Sequence, residues 1–201
     1  MFFVQLSNFG AGVSTLSIWG PTFFRVSFGF SNQIASIITF CFGICCSLRV
    51  FFGPIFDRIS IFQTHLLGFF SVLLQGSLIF AMAFVPDVGG NIALWMISGT
   101  VYGLGNSALF YVLGFHEPRA QAGSVAIASS GIIGGAIFPA FFGPIVSLFP
   151  PEDVAYATRF CLVLPACVCV VCSFVFLLLL IPKHEDGVKI KRDPTFLVLK
   201  Q

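Results

Sequence analysis

The sequence predicts an all-α integral membrane protein with six transmembrane helices. The chain of 201 residues is 57% hydrophobic and only 9% charged, whereas a soluble domain carries about 25% charged residues. Six apolar stretches are each long enough to cross a bilayer, which takes about 20 residues, and short connections rich in Gly, Pro and Asp separate them. The net charge of +2 is small and the basic residues are dispersed, so the expected surroundings are a lipid bilayer and no nucleic-acid partner is expected.

The six predicted spans cover most of the chain. They lie near residues 2–24, 32–56, 62–85, 92–115, 124–149 and 160–181. The first is interpreted as a membrane helix and not as a signal peptide, because no basic segment precedes its apolar part and no small-residue cleavage site follows. We therefore expect one six-helix transmembrane unit over residues 1–182 and a short cytoplasmic tail over residues 183–201.

The distribution of Lys and Arg predicts the orientation, because cytoplasmic connections accumulate basic residues. The second and fourth connections and the tail hold seven of them, whereas the opposite side holds two. The seven are Arg58, Arg119, Lys183, Lys189, Lys191, Arg192 and Lys200, and the two are Arg25 and Arg159. Both termini of this multi-pass protein are therefore expected in the cytoplasm.

Arg49 is a charged residue inside the second predicted span. Arginine at the centre of a membrane helix costs about 2.5–3.5 kcal/mol on insertion scales, so a functional site is the default interpretation. No Asp or Glu lies in the middle of any predicted span, and the sequence has no nucleophile–base pair, metal-ligand cluster or phosphate-binding loop. We therefore expect neither an enzyme nor a bound cofactor.

Polar residues mark a face on two other predicted spans. One stripe of the first span carries residues at steps of three and four, namely Gln5, Asn8, Gly12, Thr15 and Trp19. A narrow polar band on the fourth span consists of Ser98, Tyr102, Asn106 and Ser107. In hydrocarbon such groups must face the helix bundle, where Asn8 and Asn106 are candidates for lining a cavity.

Glycines follow a spacing that is typical of close helix contacts. Gly99 and Gly103 are four residues apart in the fourth span, and Gly131 and Gly135 repeat that spacing in the fifth. Pro139 follows, which favours a bent or locally opened helix. Such backbone is tolerated only against protein or a water-filled cavity, so helix packing and a substrate-lining role both stay open for the fifth span.

The second predicted span ends with the run Gly53-Pro54-Ile55-Phe56-Asp57-Arg58. This run resembles the G-x-x-x-D-R signature of the major facilitator superfamily, which joins the second and third helices of each six-helix half on the cytoplasmic side. Arg49 stands eight residues before Asp57, which is the spacing at which nitrate/nitrite porters place the anion-binding arginine of their C-terminal half. The chain is therefore similar to one particular family within that superfamily.

Three further runs carry the resemblance. Asn8-Phe9-Gly10 matches the Phe-Gly pair of the family, in which the Phe packs over the anion. Gly103-Leu104-Gly105-Asn106-Ser107 is similar to the family's glycine–asparagine signature, and residues 128–143 resemble its glycine-rich penultimate helix. The family has a Tyr one turn before the Phe, where this chain has Gln5, and its second arginine comes from the N-terminal half.

The resemblance implies one half of a major facilitator fold, working with an N-terminal half or with a second copy of the chain. It implies substrate contacts from Arg49, Phe9, Gln5 and Asn106. It also implies conformational or gating roles for a larger set, namely Gly53, Asp57, Arg58, Gly103, Gly105, Gly131, Gly134, Gly135 and Pro139.

The expected function is transport of a small inorganic anion, such as nitrate or nitrite, by alternating access. Exchange of anions is favoured over proton coupling, because no carboxylate lies in the middle of a span. Two alternatives stay open. The first is a carrier of another anion or of a neutral metabolite, and the second is a non-transporting membrane scaffold or sensor derived from a carrier half.

Overall fold

The computed structural model describes residues 2–116 and 120–178, which are predominantly helical and contain no strand. The helices are α1 (Phe2–Gln5), α2 (Thr15–Phe28), α3 (Asn32–Ser47), α4 (Gly53–Phe56), α5 (Ile61–Phe84), α6 (Val88–His116), α7 (Ala120–Ser147), α8 (Val154–Phe160) and α9 (Val163–Leu178). A π-helical segment (Leu6–Ser14) joins α1 to α2, and 3-10 turns cover Leu48–Phe51 and Pro151–Asp153. The predicted all-α class is confirmed for the described residues.

Four helical stretches of the described residues are long and apolar enough to cross a membrane, namely Asn32–Phe56, Ile61–Phe84, Ala128–Ser147 and Pro151–Val175. They coincide with the second, third, fifth and sixth predicted spans. The other two predicted spans lie in helical backbone at residues 2–28 and 88–116, and their crossing of the membrane stays a prediction, as does the orientation. Arg119 and the predicted tail lie outside the described residues.

The last of these stretches begins at Pro151, earlier in the chain than the sequence predicts. Arg159 therefore lies within a helix and not ahead of one. Its Nη1 donates to the Val85 carbonyl oxygen at 3.2 Å, and its guanidinium carbon lies 4.9 Å from the centroid of the Phe28 ring. These contacts compensate the charge, which is why the helix extends through a position that resembles a polar connection.

The first helix is π-helical from Leu6 to Ser14, which the sequence analysis did not predict. Two side chains from other helices bind the carbonyl groups of this segment. Gln75 of α5 donates from Nε2 to the Asn8 oxygen at 3.4 Å, and Cys169 of α9 donates from Sγ to the Ser7 oxygen at 3.4 Å. π-helical backbone is rare in proteins, and where it occurs it is often found at a functional site. The two hydrogen bonds from α5 and α9 support this backbone here.

Glycines bring the π-helical segment and α7 close together. A Cβ atom built on Gly134 would lie 2.7 Å from the Leu6 carbonyl oxygen, and one built on Gly135 would lie 2.6 Å from Ser14 Oγ. A larger residue at either position would force the two backbones apart. The close approach that the glycine spacing predicts is therefore present between these helices.

Trp95 of α6 is the centre of an aromatic cluster that joins α2, α3 and α6. It is fully buried, and its ring centroid lies 5.4 Å from that of Phe23, 5.0 Å from Phe24 and 6.1 Å from Phe42. Aromatic pairs in such arrangements contribute about 0.5–1.5 kcal/mol each beyond the area they bury. The cluster fixes α6, which also carries residues of the site described next.

Candidate functional site

A cavity of about 330 Å³ lies where the first helix, the 3-10 turn Leu48–Phe51, α6 and α7 meet. Its described lining residues are Gln5, Phe9, Arg49, Tyr102, Phe110, Ala128 and Ile132. Among these described residues Arg49 is the one charged side chain, and none is a carboxylate. Because Ile132 is 67% exposed, the cavity opens on the surface of this chain.

Arg49 lies on the 3-10 turn that interrupts the α-helix of the second span. Its carbonyl oxygen accepts a hydrogen bond from the Phe52 amide at 3.2 Å. It also lies 3.1 Å from Ser107 Oγ, whose single proton is shared with the Gly103 carbonyl oxygen at 2.9 Å. A Cβ atom on Gly103 would lie 3.2 Å from the Arg49 amide nitrogen, so α6 runs directly against this backbone. The backbone of Arg49 is thus fixed by α6, whereas its side chain is exposed and reaches the cavity.

Tyr102 of α6 lines the cavity beside Arg49. The residue is only 3% exposed, and its ring centroid lies 6.2 Å from that of Phe9 at an interplanar angle of 51°. The Arg49 and Tyr102 side chains line the same cavity, so the guanidinium lies near the phenol. The cavity therefore places a cation, a phenol and an aromatic ring side by side.

Gln5 and Phe9 lie on either side of the point where the first helix changes from α to π. Gly131 of α7 packs behind both, since a Cβ atom there would lie 3.1 Å from Phe9 Cδ1 and 3.3 Å from Gln5 Cγ. Gln5 is buried, and its Oε1 has no hydrogen-bond partner within the described part of the chain. Because Gly131 has no side chain, it leaves space for the side chains of Gln5 and Phe9 at the cavity.

Asn106 is the predicted substrate-binding residue that is not among the described lining residues. It is 2% exposed, and its Oδ1 has no partner in the described part of the chain. It follows Tyr102 by one helical turn on α6. The structure therefore groups Arg49, Phe9 and Gln5, and a direct substrate contact from Asn106 stays a prediction.

The G-x-x-x-D-R residues lie at the connection between the second and third predicted spans. Asp57 and Arg58 are exposed and follow the short helix α4. Gly53 is also exposed, and a Cβ atom there would meet no described atom within 4 Å. Ser60 then caps α5 with Gln63 in a reciprocal capping box, with bonds of 3.2 and 2.8 Å. The gating role of these residues stays a prediction.

The remaining predicted gating residues lie at helix contacts. A Cβ atom on Gly105 would lie 3.1 Å from Ser71 Cβ of α5. Pro139 lies within α7, which continues as a helix through it, and its carbonyl oxygen accepts a hydrogen bond from Trp19 Nε1 at 3.1 Å. Gly103, Gly131, Gly134 and Gly135 form the contacts given above. These contacts hold neighbouring helices together, and a gating role of these residues also stays a prediction.

A second cavity, of about 380 Å³, lies between α5 and α9. Its described lining residues are Ser77, Phe80, Ala166, Cys167, Val170 and Val171. None of these is basic or acidic, and the Ser77 hydroxyl already donates to the Leu73 carbonyl oxygen at 2.9 Å. The cavity at Arg49 is therefore the stronger candidate for a polar solute.

Tyr102 lies on the predicted polar band of the fourth span, but the sequence does not predict a substrate contact from it or the roles of several other residues at the site. Tyr102, Phe110, Ala128 and Ile132 line the cavity, and Gln75 binds the π-helical segment. Two signals in the sequence point to members of this set. Tyr102 stands one turn before Asn106 on the same face of a helix, and Gln75 is a lone amide within an apolar span.

Comparison of the chain with protein-family models, with curated proteins and with solved structures found no match.

Proposed function

We propose that this chain is the anion-binding half of a membrane carrier that moves a small inorganic anion, nitrate or nitrite, by alternating access. The observation that carries the proposal is the Arg49 guanidinium in a cavity whose described lining includes no carboxylate. A cation in a membrane protein is costly unless it is paired, and an anion in this cavity supplies the pairing charge.

The chemistry of the lining favours a small planar oxyanion. A guanidinium presents its N–H donors in a planar fork that matches two oxygens of one anion. Gln5 supplies an amide that donates hydrogen bonds, while Phe9 and Phe110 supply apolar walls. Such walls favour weakly hydrated anions such as nitrate over strongly hydrated ones such as sulfate.

The open side of the cavity supports a two-part carrier. Ile132 and the Arg49 side chain are exposed on this chain, so in a membrane the charge needs a polar or protein cover. A second six-helix half, or a second copy of the chain, closes the site from this side. Rocking of one half against the other then exposes the anion to alternate faces of the membrane.

Exchange of anions fits this half better than proton coupling. No described lining residue is a carboxylate or a histidine, so the known lining holds no proton acceptor that titrates near neutral pH. An empty site leaves the Arg49 charge without its anion, which disfavours the return of an unloaded carrier. Replacement of one anion by another avoids that state.

The test is a thermal-unfolding titration of the purified chain in lipid nanodiscs with sodium nitrate, sodium nitrite or sodium sulfate at constant ionic strength. A ligand at 100 times its Kd stabilises by about 2.7 kcal/mol, which raises the Tm of a chain of this size by about 5–11 °C. We expect nitrate or nitrite to give such a shift and sulfate to give none.

Arg49→Lys keeps the charge and removes the fork, so it should lose most of the nitrate shift. Arg25→Lys is the matched control, because Arg25 is exposed on α2 and donates to Asn32 Oδ1 at 2.9 Å, away from the cavity lining. Equal nitrate shifts in both variants, or no shift in the wild-type chain, would refute the anion site and favour a membrane scaffold.

Transport is measured by counterflow of isotope-labelled nitrate into liposomes loaded with unlabelled nitrate. Stimulated uptake without a proton gradient supports exchange. Uptake that requires a proton gradient and does not respond to internal nitrate would overturn the exchange mechanism. Binding without uptake by this chain alone agrees with a binding half that needs its second half.

A further inference from the structure

Tyr102 is a third polar residue of the described cavity lining, beside Arg49 and Gln5, and it is held more rigidly than Arg49. It is 3% exposed and packs against the Phe9 ring at 6.2 Å, whereas the Arg49 side chain is exposed. A phenol in that position has few alternative rotamers, because its ring is enclosed by neighbouring side chains. Tyr102 therefore lines the cavity with a ring that is held in place.

The helix that carries Tyr102 also fixes the backbone of Arg49. The next residue, Gly103, packs on the Arg49 amide nitrogen, and Ser107 donates to the Arg49 carbonyl oxygen at 3.1 Å. Arg49 and Tyr102 both line the cavity next to this contact. One rigid helix therefore sets the geometry of the arginine and of the phenol together.

We infer that Tyr102 contacts the bound anion, with its hydroxyl accepting a hydrogen bond from the Arg49 guanidinium and donating one to an anion oxygen. A guanidinium only donates, whereas a phenol both accepts and donates, so the two groups bind each other without consuming the phenol proton. A hydrogen bond from that proton to an anion is charge-assisted and stronger than a neutral one. This inference rests on the proposed anion site and assigns it a specificity-determining residue.

The first experiment replaces the donor and keeps the ring. Tyr102→Phe should weaken nitrate affinity about 10- to 100-fold, the effect of losing one hydrogen bond to a charged group. Tyr111→Phe is the matched control, since Tyr111 lies on the same helix, pairs with Phe56 at 5.8 Å and is not among the described lining residues. It should bind nitrate with wild-type affinity in the same nanodisc titration.

The second experiment needs no change at Tyr102. The chain contains three tyrosines, so incorporation of fluorotyrosine gives three ¹⁹F resonances, which Tyr111→Phe and Tyr156→Phe assign. Nitrate should shift the Tyr102 resonance along the same titration curve as the thermal stabilisation, while the other two stay in place. A purely structural role of Tyr102 would leave its resonance unmoved by nitrate.

The outcomes separate this inference from the proposed function. Absence of nitrate and nitrite binding by the wild-type chain overturns both. Wild-type binding that Arg49→Lys abolishes and Tyr102→Phe leaves intact overturns the role of Tyr102 alone, as does an unmoved Tyr102 resonance at saturating nitrate. If Tyr102→Phe does not fold, the resonance of the wild-type chain still decides the question.

Discussion

Replacing Gly134 with Ala places a methyl group in the contact between α7 and the π-helical segment. That carbon would lie 2.7 Å from the Leu6 carbonyl oxygen and 3.0 Å from Gly10 Cα. Carbon–oxygen contacts in proteins settle at about 3.3–3.6 Å, and both neighbours are backbone atoms, which cannot rotate away. The two helices must therefore move apart by a few tenths of an ångström or more.

The matched control is Gly143→Ala in the same helix, where an added Cβ atom meets no described atom within 4 Å. Both substitutions gain the same helix propensity, about 1 kcal/mol, so their difference isolates the overpacking cost. That cost is about 1–3 kcal/mol. With about 2–4 °C per kcal/mol for a chain of this size, the Tm of Gly134→Ala should be roughly 2–12 °C below that of Gly143→Ala.

The measurement is intrinsic tryptophan fluorescence during heating in nanodiscs, with both variants scanned at one rate. Trp19 and Trp95 report on α2 and α6. Because Leu6 lies between Gln5 and Phe9 in the chain, Gly134→Ala should also weaken nitrate binding, whereas Gly143→Ala should not. Equal Tm values, or a higher Tm for Gly134→Ala, would refute the close contact between the first helix and α7.

Two other substitutions test single hydrogen bonds. Ser107→Ala removes a hydroxyl that is shared between the Arg49 carbonyl oxygen and the Gly103 carbonyl oxygen of its own helix. The loss is worth about 0.5–1.5 kcal/mol and should lower the Tm by roughly 1–6 °C together with nitrate affinity. Arg159→Met removes the bond to Val85 and a cation–π contact, and should lower the Tm by roughly 2–8 °C at about 1–2 kcal/mol, with nitrate affinity unchanged in the same titration.

Each of these substitutions has a control of the same residue type. Ser77→Ala removes a hydroxyl that bonds within its own helix, so it should keep wild-type nitrate affinity. Arg25→Met removes an exposed arginine and should change the Tm less than Arg159→Met does. Equal losses of nitrate affinity in the two Ser variants, or altered affinity in Arg159→Met, would contradict the assignment of these contacts.

The helical class and most helix positions follow from local sequence. Apolar length, together with Gly29, Asp87 and Pro150 at the connections, predicts where helices end, because chain chemistry next to each end decides it. The sixth span is the exception, since its start depends on the contacts of Arg159 with Val85 and Phe28. Val85 and Phe28 are far from Arg159 in the sequence, so local sequence alone predicts that Arg159 belongs to the connection before the sixth span.

The site was only partly predictable for the same reason. Arg49, Phe9 and Gln5 are recognisable from charge, spacing and resemblance, and the structure brings them to one cavity. Tyr102 joins them because Gly103 lets α6 lie against the Arg49 backbone. The spacing of Gly99 and Gly103 predicts a close helix contact but not its partner, which is the backbone near Arg49. The π-helical segment has no signature within a single helix, since side chains of α5 and α9 bind its carbonyl groups.

Two irregular helical segments carry residues that line the cavity. A change of helical pitch redirects a side chain without interrupting the helical backbone by a loop. The widened π-helical segment carries Phe9, and the tightened 3-10 turn carries Arg49. Each segment departs from the regular hydrogen bonding of an α-helix, and a polar side chain binds one of its carbonyl oxygens. Gln75 binds the π-helical segment, and Ser107 binds the 3-10 turn. Neither Gln75 nor Ser107 is among the described residues that line the cavity. Their polar groups instead bind the backbone of the segments that position Phe9 and Arg49.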